Sequence, residues 1–169
     1  MNYFKEELRR IRAFVFDVDG VISPNEVVLH PSGDMMRKVS TRDGFAIQMA
    51  LKKGFKVAII TGARSESIRK RFSDLGVSSV YLASVDKVAD LKDFMDKESV
   101  LPDQILYMGD DLPDYEVMKM VGIPACPNDA VPDIQAISQY ISNLSGGAGC
   151  VRDIIEQVLR AQGYWPLLG

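Results

Sequence analysis

The sequence is poor in the residues that build disulfide frameworks and zinc sites. Its 169 residues include only two cysteines and one histidine. Cys126 and Cys150 stand far apart, and neither has a second cysteine or a histidine at metal-ligand spacing. We therefore expect neither a disulfide scaffold nor a structural zinc site. Two unpaired thiols are typical of a protein in a reducing compartment, so the sequence predicts a cytoplasmic location.

A long hydrophobic run and an excess of positive charge are also missing. The longest strongly apolar stretch, residues 55–60, contains Lys56 and is much too short to span a bilayer. The first ten residues are charged and amphipathic, unlike a signal peptide. A net charge of −3 and a pI near 5.2 give no general attraction for nucleic acid or an anionic membrane. We expect a protein that binds neither.

What the sequence does contain is a regular alternation of short apolar strands and amphipathic helices. With 47% hydrophobic and 25% charged residues, it has the composition of one globular domain, which we expect to span residues 1–169. The predicted strands are 13–18, 56–60, 80–82 and 105–108, and the predicted helices are 45–53, 65–75, 87–98, 112–121 and 151–162. This alternation predicts an α/β fold with a doubly wound, mostly parallel sheet and helices on both faces.

One segment, at about residues 26–39, interrupts the alternation. Residues 26–30 and 35–39 are extended in character, and the turn sequence Pro31-Ser32-Gly33-Asp34 joins them. We expect a protruding β-hairpin directly after the first strand. Two interpretations remain open: the hairpin exposes its apolar side chains as an interaction surface, or it packs against its own domain.

Two carboxylates close the first predicted strand, where ligands bind in sheets of this kind. Asp17 and Asp19 are two residues apart, so in an extended chain their side chains point to the same side. Like charges so close are costly unless a cation or a proton lies between them. The pair is therefore suited to a metal ion and a phosphate, with one carboxylate attacking phosphorus and the other handling a proton. A ligand-free turn rich in Asp and Gly is the alternative.

The ends of the later strands carry polar residues as well. Thr61 offers a hydroxyl, and Gly62 lets a phosphate approach backbone amides. Lys87 begins a helix and is either a phosphate clamp or a solvated surface lysine. Three carboxylates follow the strand 105–108, namely Asp110, Asp111 and Asp114. Such a cluster favours a hard cation, although it would also cap a helix.

In order and context, these residues resemble the four motifs of the haloacid dehalogenase (HAD) superfamily, over roughly residues 14–122. The resemblance implies a phosphatase that uses Mg²⁺, in which Asp17 is both the nucleophile that forms an aspartyl-phosphate and a metal ligand. It implies that Asp19 is the general acid and base and binds the metal through its backbone carbonyl. The other implied roles are phosphate binding by Thr61, Gly62 and Lys87, metal binding by Asp110, and support behind the ligands by Asp111 and Asp114.

The spacing of the motifs resembles that of HAD enzymes without a cap domain. Within that group the chain is similar to the 3-deoxy-D-manno-octulosonate 8-phosphate (KDO 8-phosphate) phosphatase family of lipopolysaccharide precursor synthesis. The segments that carry this likeness are 39–45, 61–65, 75–77 and 146–152. The family relationship implies that the hairpin at about 26–39 builds a homotetramer in which a neighbouring subunit supplies the lid, and that the tail at about 145–169 lies near an active site.

The same resemblance implies a small phosphorylated sugar acid as substrate, whose carboxylate calls for arginine. The candidate substrate-binding residues are Ser40, Thr41, Arg42, Asp43, Gly44, Arg64, Arg71 and Arg152. The family's usual arginine after Thr-Gly is replaced by Ala63, with Arg64 one place later. Three alternatives stay open: a sibling phosphatase for a nine-carbon sialic-acid-type keto-sugar phosphate, a broad-specificity sugar phosphatase, and a non-catalytic oligomerisation domain. The complete aspartate pair argues against the last.

Overall fold

The computed structural model describes residues 3–165, and a parallel β-sheet forms its centre. The strands are β1 (Ala13–Phe16), β2 (Val28–Leu29), β3 (Met35–Met36), β4 (Lys56–Ile60), β5 (Ser79–Tyr81), β6 (Ile105–Met108), β7 (Ile123–Cys126) and β8 (Tyr140–Ile141). Six of them form one sheet in the order β5-β4-β1-β6-β7-β8, and all the pairings within it are parallel. The chain moves outward from β1 first in one direction and then in the other. The doubly wound α/β fold is thereby confirmed.

Helices cover both faces of this sheet. They are α1 (Tyr3–Leu8), α2 (Thr41–Lys52), α3 (Glu66–Asp74), α4 (Lys87–Glu98), α5 (Tyr115–Met118), α6 (Pro132–Ile137) and α7 (Cys150–Ala161). Phe14 and Phe16 of β1 pack into a core with α1, α2, α3 and α7, whereas Ala13 and Val15 pack into a second core with α4, α5 and α6. Because successive side chains of a strand enter opposite cores, β1 has to be apolar at every position.

The largest departures from the expected elements lie at α2 and after β6. Helix α2 begins at Thr41 rather than at residue 45, because the Ser40 side chain caps it by accepting a hydrogen bond from the Asp43 N–H. The helix expected over 112–121 is instead a 3₁₀ turn, Leu112–Asp114, followed by the four-residue α5. Pro113 favours this short turn, which carries Asp114 back towards the sheet.

The chain after α5 contains elements that the periodicity did not predict. Strand β7 contains Pro124, which has no N–H to donate and weakens the sequence signal for a strand. Helix α6 and strand β8 are only six and two residues long. Elements this short contain too few residues for a period to be recognised.

The hairpin lies where the sequence predicts it, although its paired part is short. Val28 pairs with Met36, and Leu29 pairs with Met35, in an antiparallel arrangement. These four side chains are between 48% and 74% exposed, so the chain's own domain does not bury them. This favours the first interpretation, a surface with unpartnered apolar side chains.

The intervals where a cap domain would be inserted are short. Between β1 and α2 the chain forms the hairpin, and between β4 and α4 it forms only α3 and β5.

Across residues 3–165, no helix has both the length and the apolar character needed to cross a membrane.

Replacing Phe94 with alanine should lower the free energy of unfolding by about 3–5 kcal/mol, because Phe94 is fully buried in the second core and its loss leaves a cavity. Urea unfolding followed by circular dichroism measures this. Phe45→Ala is the matched control, since Phe45 is 42% exposed, and its cost should stay below about 1 kcal/mol. Equal losses in the two variants would contradict the assignment of the core.

Candidate active site

The polar residues predicted from the motifs meet at the carboxyl ends of neighbouring strands. Asp17 directly follows β1, Thr61 follows β4, Asp110 comes two residues after β6, and Lys87 begins α4. A cleft of about 340 Å³ opens at this edge of the sheet. It is lined by Asp17, Asp19, Thr61, Gly62, Ala63, Ser84, Val85, Lys87 and Pro113. The topology therefore brings together side chains that are up to 97 positions apart in the sequence, from Asp17 to Asp114.

A buried ammonium group lies between two of the carboxylates. The Lys87 Nζ is 2.7 Å from Asp114 Oδ1 and 3.1 Å from Asp17 Oδ2. Burial by itself would lower the pKa of Lys87, but the negative charges of Asp17 and Asp114 outweigh it, and the pKa is raised. Lys87 is therefore a charged, fixed group inside the site and not a solvated lysine at the surface.

Asp114 is fully buried and engages both of its carboxylate oxygens. Its Oδ1 accepts from Lys87 and, at 2.7 Å, from the hydroxyl of Tyr107, while its Oδ2 accepts from the Asp110 N–H at 3.2 Å. The Tyr107 contact was missed by the sequence analysis. A buried tyrosine in an otherwise aliphatic strand needs a hydrogen-bond partner, which was the available signal. Asp114 thus connects strand β6 to Lys87.

Three carboxylates lie close together and concentrate negative charge where a divalent cation would bind. One oxygen each from Asp17, Asp110 and Asp114 lie within 4.8 Å of one another. Burial, together with the charge of Asp114, raises the pKa of Asp17 to about 7. Burial and the charges of Asp17 and Asp114 raise the pKa of Asp110 to about 8. Oxygen donors that repel one another in this way are suited to Mg²⁺, whose charge removes the repulsion.

The remaining two acidic residues of the motifs, Asp111 and Asp19, lie outside this group of three and have other partners. Asp111 is exposed, and its Oδ1 accepts a hydrogen bond from the Leu112 N–H at 2.7 Å, so it caps the turn. The side chain of Asp19 is held by Arg37, whose Nε is 2.5 Å from Oδ1 and whose Nη2 is 3.0 Å from Oδ2. The sequence analysis missed Arg37, because a contact across 18 positions leaves no periodic signal.

Gly20 allows the first loop to approach Asp110. Its φ is +85°, and a Cβ atom at this position would lie 1.8 Å from Asp110 Oδ2. Any side chain would therefore both strain the backbone and collide with the carboxylate. Glycine here is a requirement of the site.

Two hydroxyl groups line the cleft near Lys87. Thr61 Oγ1 accepts from the Ala63 N–H at 3.1 Å, so its own hydrogen is available to a ligand. Ser84 Oγ is buried and has no hydrogen-bond partner within the part of the chain that the structure describes. A phosphate oxygen would satisfy it, and Ser84 is thus a candidate donor that the sequence analysis did not single out.

Among the predicted substrate-binding residues, the structure places Arg64 beside the cleft. Arg64 lines an adjoining cleft of about 310 Å³ that shares Gly62 and Ala63 with the aspartate cleft. Arg42 and Arg152 line a different cleft of about 420 Å³, together with Leu144, Ala148, Gly149, Asp153 and Glu156. The structure therefore brings Arg64 to the edge of the motif residues but leaves Arg42 and Arg152 at another cleft.

The other residues of the 40–44 segment and Arg71 have structural contacts. Ser40 caps α2, which Thr41 begins, and Gly44 lies so close to Arg71 that a Cβ would be 2.7 Å from its Nη2. Asp43 is buried, and its Oδ1 accepts from the Arg152 N–H at 2.8 Å, which joins α2 to α7. Burial raises the pKa of Asp43 to about 6.

The beginning of the tail packs against the loop after β1 of its own chain. The Gly147 N–H donates to the Val21 carbonyl at 2.9 Å, and Cys150 Sγ donates to the same oxygen at 3.2 Å. A Cβ at Gly146 would lie 2.1 Å from the Gly20 carbonyl oxygen. Residues 166–169, the end of the predicted tail, lie outside the described residues.

Comparisons of sequence and of structure both find similar phosphatases of one kind. The chain is 34% identical over 153 residues to the 3-deoxy-D-manno-octulosonate 8-phosphate phosphatase KdsC of Escherichia coli K12. This alignment covers 90% of this chain and 81% of the relative. The crystal structure of the Yersinia pestis phosphatase of the same name has a TM-score of 0.93 at 31% identity and covers 96% of this chain and 88% of that one. No family model matches the sequence.

One similar structure contains ligands. It is the 3-deoxy-D-manno-octulosonate 8-phosphate phosphatase of Moraxella catarrhalis in complex with a magnesium ion, a phosphate ion and a KDO molecule. Its TM-score is 0.94 at 29% identity, and the match covers 99% of this chain and 96% of that one.

The stability of the metal-free protein should fall as the pH rises from about 4 to about 8. Asp17 and Asp110 have folded-state pKa values of about 7 and about 8 against an ordinary 3.8, so in this window the folded state holds protons that the unfolded state has lost. Mg²⁺ needs the ionised carboxylates, so the increase in melting temperature on adding Mg²⁺ should be larger at pH 8 than at pH 6.

Thermal unfolding in EDTA and in saturating Mg²⁺ across this range measures the effect. Asp110→Asn, which removes one of the two titrating groups, should lose most of the Mg²⁺-induced increase. An increase that is the same at pH 6 and pH 8 would show that these carboxylates do not titrate together with the metal.

Proposed function

The chain belongs to the 3-deoxy-D-manno-octulosonate 8-phosphate phosphatase family of HAD-type phosphatases, and we propose that it hydrolyses KDO 8-phosphate in lipopolysaccharide precursor synthesis. The observation that carries the proposal is the buried Lys87 held between Asp17 and Asp114, with Asp110 beside them. The Moraxella catarrhalis relative, with its magnesium, phosphate and KDO, supports both the metal and the substrate.

In the proposed reaction Asp17 is the nucleophile. Its Oδ1 accepts from the Val18 N–H at 2.7 Å and its Oδ2 lies 3.1 Å from Lys87, so the carboxylate is fixed in orientation before substrate arrives. An oxygen of Asp17 bonds to phosphorus while the bond from phosphorus to the sugar oxygen breaks. Asp19 protonates the leaving oxygen. It then takes a proton from the water that cleaves the aspartyl-phosphate and releases inorganic phosphate.

The phosphoryl oxygens gain negative charge during both steps and need fixed donors. Lys87, the Thr61 hydroxyl and the amides at Gly62 would hold them, and Ser84 adds a further hydroxyl at the cleft. Asp17, Asp110 and the backbone carbonyl of Asp19 would hold Mg²⁺, which would supply the positive charge that lets the carboxylate of Asp17 approach the anionic phosphate. Both oxygens of Asp114 already accept hydrogen bonds, so we assign it, with Tyr107, to the orientation of Lys87.

The alternatives differ in how well the chain supports them. A purely structural oligomerisation domain is rejected, because the chain is an HAD-type phosphatase by its relatives. A nine-carbon keto-sugar phosphate would use the same chemistry. We favour the eight-carbon substrate because the relatives compared above carry that name.

We propose further that the hairpin assembles a homotetramer. The exposed apolar side chains of β2 and β3 are a surface that a second copy of the chain would cover. A neighbouring subunit would then close a cleft that the short intervals between the motifs leave open. A cytoplasmic location stays a prediction from the two unpaired cysteines.

The wild-type protein should release phosphate from KDO 8-phosphate faster than from a nine-carbon keto-acid phosphate, and only with Mg²⁺. Phosphate release from a sugar-phosphate panel, with Mg²⁺ and with EDTA, measures this. Asp17→Asn should lower turnover at least about 10³-fold, because it removes the nucleophile while leaving a side chain of the same size. Preference for the nine-carbon ester would favour the sibling activity, and no turnover of any ester would refute the phosphatase.

Changing Leu29 to glutamate should shift the protein from a tetramer to smaller species, because a charge would be buried in the proposed contact between hairpins. Light scattering after gel filtration gives the mass. Leu101→Glu is a suitable control, since Leu101 is similarly exposed, at 61%, but lies next to the Pro102–Gln104 turn and not on the hairpin. An unchanged mass for Leu29→Glu would argue against assembly through the hairpin.

A further inference from the structure

The base of the hairpin contributes a buried arginine to the edge of the active site. Arg37 directly follows β3, and only 7% of its side chain is exposed although its neighbours on the hairpin are open to solvent. Its Nε and Nη2 donate to the two oxygens of Asp19, and its Nη1 donates to the Met35 carbonyl at 2.8 Å. The hairpin is thereby joined to the residue that handles the proton.

These three hydrogen bonds use only part of the guanidinium. Arginine has five N–H groups, so one remains on Nη1 and one on Nη2. Arg37 also lines the adjoining cleft of about 310 Å³, and Arg64 lines that cleft as well. Two positive charges therefore border a space in which Asp34 is the one acidic lining residue.

This cleft is placed to receive the part of a substrate beyond its phosphate. Gly62 and Ala63 line both clefts, so the two spaces share a wall. Ala63 has a small side chain, so little separates the two clefts at this position. A molecule with its phosphate against Lys87 would reach over Ala63 towards the two arginines.

We propose that Arg37, together with Arg64, binds the carboxylate of the substrate and is a specificity-determining residue of this enzyme. The inference rests on the proposed function, since it assigns the acid group of a phosphorylated sugar acid to a named pair of side chains. A carboxylate has four acceptor positions in its plane, and arginine donors match it in pairs. Bound in this way, the substrate would also contact the group that orients Asp19.

The competing explanation is that Arg37 only positions Asp19. A positioning role affects every phosphate ester alike, because every leaving oxygen needs the same proton. A specificity role affects only substrates that carry the carboxylate. The ratio of kcat/KM for a substrate and for its uncharged counterpart therefore separates the two roles.

The experiment compares KDO 8-phosphate with its C1 carboxamide, which has the same shape without the charge. The wild type should prefer the acid by about 10-fold or more, as expected for a charge-assisted pair of hydrogen bonds. In Arg37→Gln this ratio should fall towards one, and in Arg37→Lys it should recover in part. Arg10→Gln removes an exposed arginine that follows α1 and should keep the wild-type ratio.

Two further measurements keep the test decisive if Arg37→Gln turns over slowly. Arg64→Gln leaves the ion pair with Asp19 intact and should also lower the ratio. Binding of free KDO, measured by calorimetry, should weaken about 10-fold in Arg37→Gln, while binding of inorganic phosphate should not.

An unchanged ratio in Arg37→Gln, with both esters slowed equally, would overturn the proposal and leave Arg37 as a positioning residue. A wild-type ratio near one would overturn it as well. Failure of the proposed function is separately visible, since the wild type would then release no phosphate from KDO 8-phosphate with Mg²⁺.

Discussion

The contact of Lys87 with Asp17 and Asp114 is the interaction on which the rest of the site depends. Two carboxylates this deeply buried would repel each other and resist ionisation, and Asp17 must be ionised to attack. The ammonium group supplies a fixed counter-charge at 3.1 and 2.7 Å. The same charge is then in position to meet a phosphate. In the proposed reaction, one lysine therefore both stabilises the ionised nucleophile and binds the phosphoryl group that the nucleophile attacks.

This arrangement is only possible because the ends of two strands and the start of a helix meet at one place. Strand β1 leads directly into Asp17, β6 carries Tyr107 and leads into the loop of Asp110 and Asp114, and α4 begins with Lys87. The loops then approach more closely than side chains would permit, as the position of Gly20 against Asp110 shows. The backbone is rigid here because neighbouring strands of the sheet hold it on both sides, which is what a preorganised site requires.

The sequence was informative where function depends on the ends of strands. The aspartates, Thr61 and Lys87 follow apolar runs that are easily recognised, so the fold class and the central groups of the cleft could be predicted together. Contacts between distant segments could not be predicted. Nothing in the chain near Arg37 or Tyr107 indicates which carboxylate each would meet. The residues around Asp17 could be predicted from local sequence patterns. The residues that orient them are brought there by the topology of the fold.

The two aspartates that we propose as catalytic are therefore oriented from different parts of the molecule. Asp17 is fixed by Lys87 and by the Val18 amide, all within the sheet and its first helical turns. Asp19 is fixed by Arg37 from the hairpin, whose other side chains are exposed. The proposed nucleophile is thus set by the fold of a single chain, while the proposed proton transfer depends on an element whose exposed apolar surface the proposed partner subunit would cover. Because the chain forms no cap of its own between β1 and α2 or between β4 and α4, this hairpin is the part of the described structure through which assembly could influence catalysis.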